Sequence, residues 1–200
     1  MPFVEPTAPP GFENFGAGAA ATHPVVSFRA RETGRRLVAA LAGNTHGGFP
    51  VCGDSGELIG FVLRARIVTL LTAPAADFDA SGTLPLSAFH TAFDSRAAAV
   101  AEGDVAVERL NGEHDLSMYA DGSPLSVPIN YPLTKVHVLF RSLGLRHLCV
   151  VHANNALHGL ITRKDLLITT FNQDKADDDD HDAKGGEQGQ GASDVTGSAI

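Results

Sequence analysis

An α+β fold of two β-α-β-β-α repeats, packed as a pseudo-two-fold pair, is what this sequence predicts, and three observations carry it. The segment Gly159-Leu-Ile-Thr-Arg-Lys-Asp-Leu166 repeats the pattern of Gly60-Phe-Val-Leu-Arg-Ala-Arg-Ile67 at an offset of 99 positions, Gly60 to Gly159. Around each copy, short apolar runs suited to strands alternate with helical periodicity in the same order. A unit of about 50 residues is too small to cover its own sheet, so two copies should pack on each other.

The chain divides accordingly. Residues 1–20, rich in Pro, Gly and Ala, read as a linker arriving from an upstream region. The first repeat takes residues 21–72, with strands at Val25–Phe28, Gly48–Cys52 and Leu58–Leu63 and helices at Thr33–Ala42 and Arg64–Leu71. The second takes residues 119–172, with strands at Leu125–Val127, His147–Val151 and Leu157–Ile161 and helices at Leu133–Ser142 and Arg163–Thr170. The turns Gly53-Asp-Ser-Gly56 and His152-Ala-Asn-Asn155 separate the second and third strands of each. Between the repeats, residues 73–118 show little apolar periodicity and read as a partly ordered insert. Residues 173–200 carry Asp177-Asp-Asp-Asp-His-Asp182 and then Gly, Gln and Ser. Such a segment cannot offset its ordering entropy by burial, so a disordered acidic tail is expected.

Composition narrows the function. The hydrophobic content of 44% supports a core, and 15 basic against 23 acidic residues give a net charge of −8. A sustained basic stripe is missing, which argues against nucleic acid as a partner. No apolar run approaches the roughly 20 residues of a membrane-spanning helix, so a soluble module is expected. The two cysteines, Cys52 and Cys149, lie inside apolar strands and read as small core residues of a reducing compartment.

The polar signal sits in the second copy. There an apolar strand delivers Thr162 and Asp165 onto a helix start, where the first copy has Leu63 and Arg66. A carboxylate can accept two hydrogen bonds from a vicinal diol, and free amides at a helix N-terminus favour phosphate, so the pair suits a nucleotide ribose. Thr and Asp also serve as ordinary N-caps, which leaves a purely structural role open.

These features together resemble a pair of CBS domains. Leu139-Phe-Arg-Ser-Leu-Gly-Leu-Arg-His-Leu148, Ile161-Thr-Arg-Lys-Asp-Leu166, Gly47-Gly-Phe-Pro-Val51 and Leu58-Ile-Gly-Phe-Val-Leu-Arg64 resemble, more narrowly, the cytoplasmic C-terminal region of CLC chloride channels and anion/proton antiporters. The organellar branch with its plant and algal members is most similar, and Met1-Pro-Phe-Val4 and Leu84-Pro-Leu-Ser-Ala-Phe89 match its junction and inter-repeat segments. The resemblance spans residues 1–172. It implies a regulatory module on the cytosolic face of a vacuolar or endosomal membrane, attached to a membrane domain outside this chain and dimeric like it. It also implies an adenine nucleotide (ATP, ADP or AMP) between the repeats. Carried over by position, Asp165 would hold the ribose and Thr162 orient it. Backbone at Val25 and Gly47 would bond the base, His46 would stack on it, and Arg163 and Lys164 would lie near the phosphates.

Other chemistries lack parts. Asp77-Phe-Asp79-Ala-Ser81-Gly82-Thr83 imitates half a calcium loop, but Ala88 stands where a bidentate glutamate is needed. His46, His147, His152 and His158 show no paired spacing for zinc. Neither a GxxxxGK[ST] loop nor a GxSxG elbow occurs, and an enzyme is not expected. Two alternatives remain beside the transporter module: a free-standing CBS pair sensing adenine nucleotides for another enzyme, and a structural dimerisation module with an empty cleft.

Overall fold

The computed structural model describes residues 11–90, 100 and 105–167. The first repeat forms β1 (Phe28–Arg29), β2 (Arg31–Thr33), α2 (Gly34–Gly43), β3 (Gly48–Cys52), β4 (Leu58–Leu63) and α3 (Arg64–Thr72), preceded by a short α1 (Ala17–Ala20). After 3-10 turns at Ala75–Asp77 and Leu86–His90 come α4 (Val107–Asn111) and β5 (Glu113–Asp115). The second repeat forms β6 (Ser126–Pro128), α5 (Leu133–Leu143), β7 (His147–Val151) and β8 (Leu157–Thr162).

Each repeat builds the same three-stranded sheet, ordered β1-β3-β4 and β6-β7-β8, with the outer strand parallel and the hairpin antiparallel. Burial explains the elements. Every residue of β3 is buried, and α2 turns Leu37 and Leu41 inward against Phe28, Phe49 and Val51. The second core repeats this with Leu133, Val136 and Phe140 of α5 against Val127, Leu148, Val150 and Ile161. Thr33 caps α2 by accepting a hydrogen bond from the Arg36 amide, and Gly144 closes α5 at φ 63°.

The copies meet along β4 and the β7–β8 hairpin, where Leu58, Phe61, Cys149 and Val151 form a third buried cluster. The turn hydrogen bonds across this seam are reciprocal. Leu58 donates its amide to the Asn155 carbonyl at 2.9 Å, and Leu157 donates to the Gly56 carbonyl at 3.0 Å. Gly56 and Asn155 both sit at positive φ, 82° and 61°, a conformation that favours Gly and tolerates Asn. The Phe61 ring stacks on His147 of the other repeat, centroids 3.9 Å apart and planes 16° from parallel.

Two arms are exchanged between the halves. The segment before the first repeat lies on the second sheet, where the Thr22 and Leu160 backbones exchange hydrogen bonds of 3.0 and 3.2 Å. The segment before the second repeat lies on the first sheet, where Phe61 and Asp121 exchange two of 2.9 Å. Glycine at the paired positions makes the approach possible. A Cβ on Gly60 would stand 3.0 Å from the Ala120 Cβ, and one on Gly159 would stand 2.9 Å from the Ala21 Cβ.

Four expectations change in whole or in part. Residues 11–20 are no linker, because Phe12 and Ala17 are buried in the second core and the Ala17 amide bonds the Tyr131 carbonyl. The insert is more ordered than its sequence suggests: β5 pairs antiparallel with β2, and Leu84, Val105 and Leu116 complete the first core. The strand expected at Val25–Phe28 starts only at Phe28, where its pairing with Val51 begins. Of the helix expected at Arg163–Thr170, residues 163–166 form a turn and 168–170 lie outside the described residues, as do residues 1–10 and the acidic tail.

Candidate functional site

The end of β8 sets the Thr162–Asp165 pair. Asp165 Oδ2 accepts from the Thr162 amide at 2.6 Å and from the Thr162 hydroxyl at 2.7 Å, so the carboxylate caps the chain as it leaves the strand. Its other oxygen, Oδ1, accepts from the Thr22 hydroxyl at 3.3 Å. That contact is longer and exposed, and a carboxylate offers about four acceptor sites, so Oδ1 is the atom with capacity for a ligand diol. Thr22 belongs to the exchanged arm, a contribution the sequence reading missed because nothing local links the two positions.

The flanking cations are occupied differently from expectation. Arg163 donates from Nε to the Leu145 carbonyl at 2.8 Å and from Nη2 to the Gly144 carbonyl at 2.9 Å, which commits its guanidinium to the end of α5. Arg64 does the same in the first repeat, donating to the carbonyls of Leu41, Asn44 and His46. The carbonyls that end a helix lack intrahelical partners, so an arginine at this repeat position is structural. Lys164 remains an exposed cation beside the pair.

The His46 ring is exposed and meets the Phe49 ring edge-on at 6.3 Å, while its amide bonds the Asn44 side chain at 3.0 Å. The Gly47 carbonyl accepts from the Arg64 amide at 2.9 Å, and Val25 is half-buried. Thus the structure brings Thr162, Asp165 and Thr22 together, while His46 and Gly47 are fixed by the start of β3 and the Arg64 clamp. His147 opens β7 in register with Thr162, so the Phe61 stack adjoins the pair. Burial first, and then Arg146, hold the His147 imidazole below its ordinary pKa.

The equivalent place in the first repeat is closed. Arg66, at the position of Asp165, donates to the Tyr119 carbonyl at 2.5 Å, and Leu63 replaces Thr162. A recess of about 410 Å³ does open at the start of α2, lined by Arg29, Arg31, Glu32, Thr33, Arg36 and Glu113. Its arginines are partly neutralised, Arg36 by Glu32 at 3.1 Å and Arg31 by Asp115 at 4.0 Å. Among the described residues, no three His, Cys, Asp or Glu side chains converge to hold a metal ion. Nor is any described helix long and apolar enough to cross a membrane.

Comparison with known proteins agrees with this geometry. The family model "CBS domain" matches residues 118–169. The solved structure of CBSX2 in complex with AMP superposes with a TM-score of 0.50 at 19% identity, covering 81% of this chain and 99% of that one. The chain has the fold of a tandem CBS pair. In sequence this CBS pair is 41% identical to Chloride channel protein CLC-d of Arabidopsis thaliana over 147 residues, 66% of this chain. It is 34% identical to H(+)/Cl(-) exchange transporter 7 of Mus musculus over 178 residues, 83% of this chain. The pair spans only about a fifth of these relatives, 18% and 22% of their lengths. It resembles the CBS region of CLC chloride channels and antiporters, plant members among them.

Proposed function

We propose that this CBS pair is the cytosolic regulatory module of a CLC-type chloride channel or anion/proton antiporter, and that it binds one adenine nucleotide between its repeats. The observation that carries the reading is the asymmetry of two otherwise equivalent positions. Asp165 offers Oδ1 beside Thr162 and an arm hydroxyl, whereas Arg66 is turned onto a backbone carbonyl. In this reading Asp165 holds the ribose and Thr162 orients the carboxylate. His46 stacks on the base next to backbone of Val25 and Gly47, and Lys164 takes the phosphate role that Arg163 gives up. In this reading the module regulates and does not catalyse, with Asp165 serving as a ligand for the ribose and not as an acid or base. Its partners are a membrane domain outside the chain and a second copy of itself, at a vacuolar or endosomal membrane.

Calorimetry of the chain with ATP, ADP and AMP tests the reading. One site per chain is expected, with Kd between about a millimolar and a micromolar. Two equal sites would refute the asymmetry, and no heat at millimolar nucleotide would leave a structural dimerisation module. The transport role needs the full-length protein: anion flux with and without ATP, in wild type and Asp165→Ala, should differ only where the nucleotide binds.

A further inference from the structure

We propose that His23, His152 and His158 form a proton-operated latch, which holds the N-terminal arm on the second repeat when neutral and releases it when protonated. The three imidazoles come from three segments: His23 from the arm, His152 from the turn after β7, and His158 from β8. His158 lies between the others, its ring centroid 5.1 Å from each. Beside them run the arm's only mutual backbone bonds to β8 among the described residues, between Thr22 and Leu160.

Neutral imidazoles can pack ring against ring, whereas a protonated His158 repels a protonated His23 or His152 across 5.1 Å. Among the described residues no carboxylate lies within ion-pair distance of the three rings. Asp165, after β8, accepts from Thr22 of the arm and from Thr162. Across the seam, the Glu57 carboxylate accepts from the Ser55 amide at 3.1 Å, with Asp54 in the same turn. Glu13 bonds the Gly11 amide further up the arm. Arg163 and Lys164 follow β8, and His137 of α5 meets Phe12 of the arm. The influences that fall on His158 are burial, then His152, then His23, opposed by a hydrogen bond with the Gly18 backbone; together they hold its pKa below the ordinary value. The docked arm therefore binds fewer protons than the free one. Docking is complete above the unperturbed pKa of about 6.5 and weakens as the pH falls through it.

Pseudo-symmetry supplies a control inside the molecule. The residues at the equivalent positions of the other arm are Gly122, Gly53 and Ile59, none of which titrates, yet the same pair of backbone bonds joins Phe61 to Asp121. The test is amide hydrogen exchange of the whole chain at about pH 7.5 and about pH 5.5, corrected for intrinsic rates, without nucleotide. Protection of the Thr22 and Leu160 amides should fall several-fold at the lower pH, while Phe61 and Asp121 keep theirs. His158→Gln should abolish the response. If that variant folds poorly, His23→Gln combined with His152→Gln, at exposed positions, should do the same. Equal protection at both pH values in the wild type, or a loss that persists in the variants, overturns the latch. Release would also withdraw Thr22 from Asp165; that consequence rests on the nucleotide reading, whereas arm exchange is measured independently of it.

Discussion

Replacing Asp165 by alanine separates the two jobs that this carboxylate can do. In the free protein it accepts three hydrogen bonds, two of them at 2.6 and 2.7 Å from Thr162. Losing a cap of this kind costs about 0.5–2 kcal/mol, and the half-exposed setting argues for the middle of that range. At about 2–4 °C per kcal/mol for a chain of this size, the melting temperature should fall by roughly 2–5 °C without ligand. If Oδ1 also holds a ribose diol, nucleotide affinity should drop by about 1–3 kcal/mol, or roughly five- to 150-fold. Asp165→Asn sharpens the distinction, since its amide oxygen can still accept from the Thr162 amide but no longer carries charge. It should recover most of the melting temperature and little of the affinity. Thermal melts and calorimetry on the three proteins read both quantities. Affinity unchanged in Asp165→Ala despite a lowered melting temperature would show that the carboxylate only caps, and the ribose assignment would fall.

The remaining predictions concern the framework. Gly159→Ala places a Cβ 2.9 Å from both the Ala21 Cβ and the Thr22 carbonyl, and should cost about 1–3 kcal/mol in a urea melt, with Gly60→Ala milder because its contacts start at 3.0 Å. Phe61→Ala removes the stack on His147 and empties the seam; about 3–5 kcal/mol should be lost in the same melt. Arg163→Met should lower the melting temperature yet leave ATP affinity within about twofold, since its guanidinium holds two carbonyls, whereas Lys164→Met should weaken ATP more than AMP. Burial pushes the Cys149 thiol up to about 12 and raises Cys52 as well. Iodoacetamide at about pH 8 should therefore spare both in the native chain and label both in urea, and stability should decline as pH rises above the ordinary thiol value, where the unfolded chain loses protons first.

What the sequence revealed follows from where the ordering information lies. The strands Gly48–Cys52, Leu58–Leu63 and His147–Val151 keep their expected bounds because continuous apolar runs closed by Gly or Asn turns specify them locally. The paired Gly60 and Gly159 motifs disclosed the duplication for the same reason. The arms were illegible: Phe12, Ala17, Leu84 and Leu116 are isolated apolar residues without period, buried only because a distant sheet offers them a surface. The same gap hid Thr22 from the candidate site and His23 from its partners. Arg163 misled for the opposite reason. A cation beside a presumed phosphate site looks like a ligand until the carbonyls ending the neighbouring helix are seen to claim it.

Comparing the two halves position by position shows where function departs from folding. Pairs that maintain the duplication have matched in kind: Gly60 with Gly159, Arg64 with Arg163, Gly56 with Asn155. Each solves one backbone problem twice, a close approach, a helix end or a left-handed turn. Among the pairs that differ, Leu63 with Thr162, Ile59 with His158, Gly53 with His152 and Gly122 with His23 place the polar or titratable member in the second repeat or the arm lying on it, Arg66 with Asp165 reverses a charge, and Asp54 with Ala153, Glu57 with Ala156 and Asp121 with Thr22 place the acid in the first. Docking an arm does not require Thr162 or the three histidines, since the first sheet holds its arm with the same hydrogen bonds and none of those groups. Arg66 completes the pattern, because its contact with the Tyr119 carbonyl shuts the place where Asp165 stays open. Converting Arg66 to Asp and Leu63 to Thr should thus not create a second nucleotide site of equal affinity, since Asp121 would face the new carboxylate where Thr22 faces Asp165. Calorimetry of that double variant should still return one site per chain, and two equal sites would show that the arm residue plays no part.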